Sequence, residues 1–150
     1  MRGIIEGVEQ ELQLDAQVCF ALYSAARVAS GAYREGLAEL GLTYTQYVTL
    51  LALWEEDGIT VTDLGRRLRL DSGTLSPLLR RLQAIGLVER RRESADERLV
   101  TIHVTDAGRA MQPRVAHVQR AVGSKLALSR EEAVLLRDLA NRFCDAHRSH

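Results

Sequence analysis

The sequence predicts a mainly α-helical protein carrying a small β-hairpin (α+β). Three observations in Leu70–Arg98 predict it. Leu75, Leu78, Leu79, Leu82 and Ile85 recur at helical spacing behind a hydroxyl-rich start. Gly86 follows, a residue that accepts the left-handed conformation often needed at a helix C-terminus. Leu87–Arg92 and Leu99–Val104 then read as two strands around the polar turn Glu93–Arg98, the second alternating Leu/Thr/His with Val/Ile/Val. A helix followed by a basic hairpin is a winged helix. A helix about 10–12 Å across fits the major groove of B-DNA, about 12 Å wide, while an arginine on a hairpin tip can enter the minor groove.

The remaining elements follow in chain order. Residues 1–14, with Ile4, Ile5, Val8 and Leu12 but no firm start signal, are expected to be a tail or a short helix. Asp15 is expected to cap a long helix to about Glu39, with Val18, Leu22, Ala25, Ala26, Ala29, Tyr33 and Leu37 near one face and Gly41 breaking it. Thr43 can cap a second helix to about Glu56, whose centre (Tyr47, Val48, Leu50, Leu51, Leu53, Trp54) is apolar nearly all round and so predicts burial. Thr60 with Asp63 forms a weak capping box for a short positioning helix carrying Leu64 and Leu68, and Arg69–Ser72 turns into the recognition helix. Pro77 leaves that helix's start open: with Ser72 as cap it removes one backbone bond, and with a start near Ser76 it takes the favoured first position.

After the hairpin, Thr105 can cap a helix from Asp106 with Ala107, Ala110, Met111, Val115, Val118 and Val122 apolar, Pro113 marking a bend or restart. Ser129 and Glu132 make a capping box for a last helix to about Ala146 bearing Leu135, Leu136, Leu139, Ala140 and Phe143. The stripes on the terminal helices lack a partner in so small a domain. They are expected to pack against a second copy.

At 150 residues, the chain is expected to form one domain over 1–150: a winged helix at about 43–105, with dimerisation helices at about 15–40 and 106–147. No apolar run reaches a membrane span and the N-terminus lacks a signal-peptide core, so a cytoplasmic protein with no membrane partner is expected. Two cysteines far apart do not make a disulfide framework. The net charge of zero hides an asymmetry. Residues 1–61 hold 3 basic and 9 acidic side chains, 62–98 hold 9 and 6, and 99–150 hold 8 and 5, so positive charge concentrates where a polyanion would bind.

With its elements in order, the chain resembles the MarR family of dimeric winged-helix regulators over roughly residues 12–147. Asp96-Glu97-Arg98 matches the acidic-x-Arg wing signature, and Thr105-Asp106-Ala107-Gly108 matches the segment after the wing. Within that family, Cys19-Phe20-Ala21-Leu22-Tyr23, Leu42-Thr43-Tyr44-Thr45-Gln46-Tyr47 and Leu70-Asp71-Ser72-Gly73-Thr74-Leu75 resemble the organic-hydroperoxide-sensing repressors called OhrR. The resemblance implies a homodimer that represses a detoxification gene from a pseudo-palindromic operator on double-stranded DNA, and releases it when Cys19 is oxidised by an organic hydroperoxide. It also implies that Tyr33 and Tyr44 hydrogen-bond the reactive sulfur. Tyr33 lies 14 residues beyond Cys19, about 21 Å along one helix, yet within about 40° of the same face. It therefore cannot reach its own Cys19, whereas an antiparallel partner helix can present it to the other subunit.

The chemistry needs thiolate, and an ordinary thiol with pKa about 8.5 is only a few per cent ionised at neutral pH. Phenol donors favour the anion. Tyr23, four residues on, is the rival donor within one chain, and packing is the alternative for Cys19 and all three tyrosines. Two-cysteine relatives carry a resolving cysteine nearer the start of the last helix, where this chain has Ser124–Leu128. Cys144 lies well beyond, which favours packing there and a one-cysteine scheme in which sulfenic acid meets a small cellular thiol or oxidises further.

On the DNA side, Ser72, Thr74 and Ser76 let the helix start approach phosphate and base edges, and its positive end favours phosphate. Arg80 and Arg81 can reach backbone or bases. Arg98 is the minor-groove residue and Asp96 steadies the turn or the arginine, while Arg90, Arg91 and Arg92 offer sequence-independent attraction. His103, His117, His147 and His150 have no metal-ligand spacing, and there is no phosphate loop, nucleophile elbow or carboxylate pair. No cofactor, metal or enzymatic turnover is expected. Two competing readings stay open: the same fold released by a small aromatic or phenolic ligand in a cleft, with Cys19 a spectator, and, from another class, a thiol peroxidase using Cys19.

Overall fold

The computed structural model describes residues 11–92 and 99–147; the expectation for the first ten residues, the turn Glu93–Arg98 with Asp96 and Arg98, and His150 lie outside them. The chain is mostly helical, with a three-stranded antiparallel sheet, and divides into two compact units.

The unit of residues 33–121 holds the winged helix. Helix α1 (Val18–Ala38) enters it with its last turns, and the Leu42 N–H closes its end on the Leu37 carbonyl at 2.9 Å. Helix α2 (Tyr44–Glu55) starts at Thr43 through a full capping box: the Thr43 hydroxyl accepts the Gln46 N–H and the Gln46 side chain accepts the Thr43 N–H. It buries Tyr47, Leu50 and Leu53. Strand β1 (Ile59–Thr60) was not legible in the sequence, since two residues cannot show a period. The Thr60 hydroxyl then accepts the Asp63 N–H and caps α3 (Val61–Leu68), which buries Leu64.

Helix α4 (Ser72–Ala84) begins at the earlier of the two starts that the sequence left open, with the cap one residue before Ser72. Asp71 is the cap: its backbone is extended and its carboxylate accepts the Thr74 N–H at 2.9 Å, which places Ser72 already inside the helix. Pro77 consequently lies in the second turn, and the Gly73 carbonyl forgoes one helical bond. Leu75, Leu78, Leu79 and Leu82 are buried as expected. Ile85 is not: it stands one residue past the helix end and is 50% exposed.

Gly86, at φ +76°, reverses the chain and lets the Leu87 N–H return to the Leu82 carbonyl at 3.0 Å. Strands β2 (Val88–Arg92) and β3 (Val100–Val104) pair from Val88–Val104 to Arg92–Val100, and β1 adds to the other side of β3 through Ile59–Ile102. Thr105 caps α5 (Asp106–Ala110) by accepting the Gly108 N–H, while its hydroxyl donates to the Gly86 carbonyl at 2.6 Å. Pro113 marks a restart: α6 (Gln112–Gly123) begins one residue before it, where a missing N–H costs little. Gly108 is required by close approach, since a Cβ there would lie 2.2 Å from the Leu87 carbonyl oxygen and 2.7 Å from Val104. Trp54 seals the same point, its indole N–H donating to the Gly108 carbonyl at 3.2 Å.

The second unit, described over 11–32 and 122–147, is of another character. Asp15 does not cap α1; it sits inside a 3₁₀ turn (Leu14–Ala16), and the Gln17 side chain ties that turn to the Glu11 and Gln13 carbonyls. Helix α7 (Arg130–Ala146) has the expected Ser129–Glu132 capping box. It buries no residue, and Leu135, Leu136, Leu139 and Phe143 stand exposed. Among the described residues of this unit, only Val122 is buried. No described helix is long and apolar enough to cross a membrane.

Candidate functional site

The outward side of α4 follows from its inward side. With four leucines committed to the core, Ser72, Thr74, Arg80 and Arg81 are left exposed. Ser76 is half-buried and lines a depression of about 440 Å³ with Thr60, Thr62, Asp63, Arg90 and Val100. The helix start is already occupied, however. Asp71 accepts the Thr74 N–H and the Thr74 hydroxyl, at 3.1 Å, and these bonds hold its carboxyl below the usual carboxylate value. A fixed negative charge therefore faces any phosphate approaching the positive end of α4, and the Thr74 hydroxyl proton is spent on Asp71. Phosphate attraction on this helix falls to Arg80 and Arg81.

On the wing, Arg91 is bound by Glu89, with Nε donating at 2.7 Å and Nη2 forming a second contact. The base of the wing is held by a residue that sequence reading missed. Asp57 accepts the Val104 N–H at 2.7 Å and the Arg109 guanidinium at 2.8 Å, and Arg109 returns a long bond of 3.4 Å to the Val104 carbonyl. In sequence, Glu56-Asp57-Gly58 looks like any polar turn.

Cys19 is the second residue of α1 and its thiol is exposed. Tyr23 is exposed too and lies against the Arg27 guanidinium, 5.5 Å from its ring centre. Tyr33 and Tyr44 come together, their ring centroids 5.4 Å apart, and Tyr47 joins them at 5.1 Å from Tyr33 and 5.7 Å from Tyr44. Burial, and then the neighbouring Tyr33, push the Tyr44 hydroxyl above the usual phenol value. Tyr47 is raised further, by burial and by a hydrogen bond to Tyr33. The Tyr44 and Tyr47 phenols therefore stay protonated at any physiological pH. Tyr47 was read from sequence only as core; its spacing of three residues from Tyr44 was the available signal that both share a helix face. Cys144 is half-buried in the last turn of α7.

The family model for the transcriptional regulator SarA/Rot matches residues 32–114, the winged-helix unit almost end to end. The chain is 45% identical over 142 residues to the HTH-type transcriptional regulator TtmR of Methylorubrum extorquens, covering 94% of this chain and 73% of that one. It is 37% identical to the organic hydroperoxide resistance transcriptional regulator of Bacillus subtilis, covering 90% of each. Among solved structures it is similar to AbfR of Staphylococcus epidermidis. The reduced form bound to DNA aligns with a TM-score of 0.77 at 33% identity, over 94% of this chain and 99% of that one. The overoxidized form bound to DNA gives 0.75 at 34%, over 92% and 98%. A basic recognition helix, a braced hairpin and relatives spanning nearly the whole chain lead to one assignment: the protein belongs to the MarR/SarA-type winged-helix family and is a DNA-binding transcriptional regulator rather than an enzyme.

Proposed function

We propose that this regulator is a homodimeric repressor of the OhrR type, acting in the cytoplasm, which reads organic hydroperoxide through Cys19. The observation that carries the reading is a cysteine exposed in the first turn of α1, in a chain that aligns over 90% of its length with an organic hydroperoxide resistance regulator. The Bacillus subtilis relative, an organic hydroperoxide resistance regulator, and AbfR, known in reduced and overoxidized forms, support it. The thiolate attacks the distal oxygen of the hydroperoxide. An S–O bond forms as the O–O bond breaks, sulfur gives up two electrons, and the alkoxide takes a proton and leaves as alcohol. The resulting sulfenic acid condenses with a small cellular thiol, giving a mixed disulfide and water, or oxidises further.

Tyr33 and Tyr44 from the partner subunit are the assigned donors to the sulfur, and the protonated state of Tyr44 suits that role. The second copy is supported by α7, a 17-residue helix without a buried residue, because helices in proteins draw most of their stability from the packing of an apolar side. On DNA, Ser72, Thr74, Ser76, Arg80 and Arg81 face the major groove, and the wing with Asp96 and Arg98 faces the minor groove.

The test follows Cys19 by mass spectrometry after one equivalent of cumene hydroperoxide, with operator affinity measured on each oxidised species. AbfR is found on DNA even when overoxidized, so the species are separated before binding is measured. Cys19→Ser should bind operator and ignore the oxidant, and Cys144→Ser should respond normally. Release of Cys19→Ser by hydroperoxide would sink the sensor reading, and release by a phenolic ligand instead would replace it. Turnover of many equivalents per site with a thiol reductant would mark a peroxidase.

A further inference from the structure

The start of α4 holds an exposed hydroxyl whose proton already has a destination. Thr74 Oγ1 donates to Asp71 Oδ2 at 3.1 Å while Asp71 Oδ1 accepts the Thr74 N–H at 2.9 Å, so one carboxylate grips the same residue at two points. Gly73 leaves room for this, since a Cβ there would meet Asp71 Oδ1 at 3.1 Å. We propose that Asp71 makes Thr74 an acceptor-only reader of the major groove, which takes the amino group of cytosine or adenine and rejects guanine and thymine. Thr74 is then the specificity-determining residue and Asp71 a positioning residue that acts through it. This inference rests on the assignment of α4 as the helix that faces the major groove.

A threonine hydroxyl has one proton and two acceptor lone pairs, whereas an ionised carboxylate can only accept. Asp71 is exposed and therefore ionised at neutral pH, so the proton of the shared bond comes from Thr74. What Thr74 Oγ1 still offers outward is lone pair alone. Phosphate oxygens are acceptors too, which removes Thr74 from sequence-independent backbone contact. In the major groove, cytosine presents an N4 amino donor and adenine an N6 amino donor, whereas guanine presents the N7 and O6 acceptors and thymine O4 and a methyl group. Facing cytosine or adenine, Oγ1 gains a bond; facing guanine or thymine, it loses water to meet another acceptor. Each base pair has one amino group in this groove, so the preference also fixes which strand carries it.

In the test, the full-length protein selects from a library of random-sequence duplexes, and sequencing of the bound and input pools gives its base preference at each operator position. The unaltered protein should show one position in each half-site where adenine or cytosine on one strand is favoured about fivefold over guanine or thymine, the size of one net hydrogen bond. Thr74→Val, which has the branched shape but no hydroxyl, should level that position to within about twofold and leave the others as they are. Asp71→Asn retains the cap but places an amide N–H where Oδ2 stood. That group donates to Thr74 Oγ1 and frees the Thr74 proton, so the same position should turn toward guanine or thymine. A change that merely loosened the helix would weaken all positions together and reverse none. The affinity that Asp71→Asn gains from its lost charge is common to every sequence and drops out of a ratio between them. A profile unmoved by Thr74→Val, or an Asp71→Asn profile still favouring adenine or cytosine there, would overturn the proposal. A preference that survives Thr74→Val and is lost in Asp71→Asn would overturn it too, making the carboxylate the reader. If Arg80→Ala and Arg81→Ala also leave DNA affinity unchanged, the placement of α4 on DNA is itself what fails.

Discussion

The carboxylate of Asp57 accepts the backbone N–H of Val104 at 2.7 Å, so a turn residue after α2 holds the last residue of the wing strand 47 positions later. Removing the acceptor in Asp57→Ala leaves that N–H unpaired, at a cost of about 1–3 kcal/mol. Operator affinity should fall with it, because the wing base is no longer fixed. Arg109→Ala loses only a half-exposed ion pair and a long bond, so its cost in a urea melt should be about 1 kcal/mol or less. Equal effects would assign the stabilisation to the ion pair.

Gly108→Ala should be among the most damaging single-methyl changes in the chain. Its Cβ would sit 2.2 Å from the backbone oxygen of Leu87, which cannot swing aside as a side chain can. A loss of about 3 kcal/mol or more is expected. The indole of Trp54, bonded to the Gly108 carbonyl, reports the change through its fluorescence. A variant as stable as the unaltered protein would mean that the β2 entry shifts freely.

Asp71 links stability to pH with a definite sign. Its folded-state value lies below the ordinary 3.8, so its stabilisation is complete above that value and is lost as pH falls through the lowered one. The thermal gap between the unaltered protein and Asp71→Ala should be widest near neutrality and close in acid. Asp71→Asn keeps a cap but removes the charge facing phosphate, so it should bind DNA more tightly, with a steeper salt dependence. Weaker binding would mean that the carboxylate itself reads a base.

Among the arginines, Arg80→Ala should flatten the salt dependence of operator binding by about one unit of slope, the signature of one lost phosphate contact. Arg91→Ala should flatten it less, because Glu89 already neutralises that guanidinium. Arg98→Ala should weaken binding markedly without unfolding the protein. Equal, small effects from all three would mean that neither α4 nor the wing meets DNA.

Dimerisation is expected to be tight at micromolar concentration in sedimentation equilibrium, and Leu135→Asp with Leu139→Asp should abolish it, since both side chains stand on the uncovered side of α7. Footprinting should show two half-sites about 10 base pairs apart, centre to centre. Protection of a single half-site by a dimer would contradict the symmetric reading.

The sequence alone determined what is local. Helical spacing located the leucines of α4, Thr43, Thr60, Thr105 and Ser129 announced helix starts within one residue, and Gly86 announced a reversal, because caps and periodicity act through neighbours a few positions apart. At Asp71-Ser72 the sequence left the cap open, and at Asp15 it placed the cap of α1 too early, since the choice depends on the path of the preceding turn. Tertiary structure decided the long-range facts. It paired two-residue β1 with β3, bonded Asp57 to Val104 and Trp54 to Gly108, and gathered Tyr33, Tyr44 and Tyr47 into one cluster. Hydrogen bonds and ring contacts between distant residues leave no periodic trace in a chain, because nothing in the spacing of residues records which turn will face which strand once the core has closed.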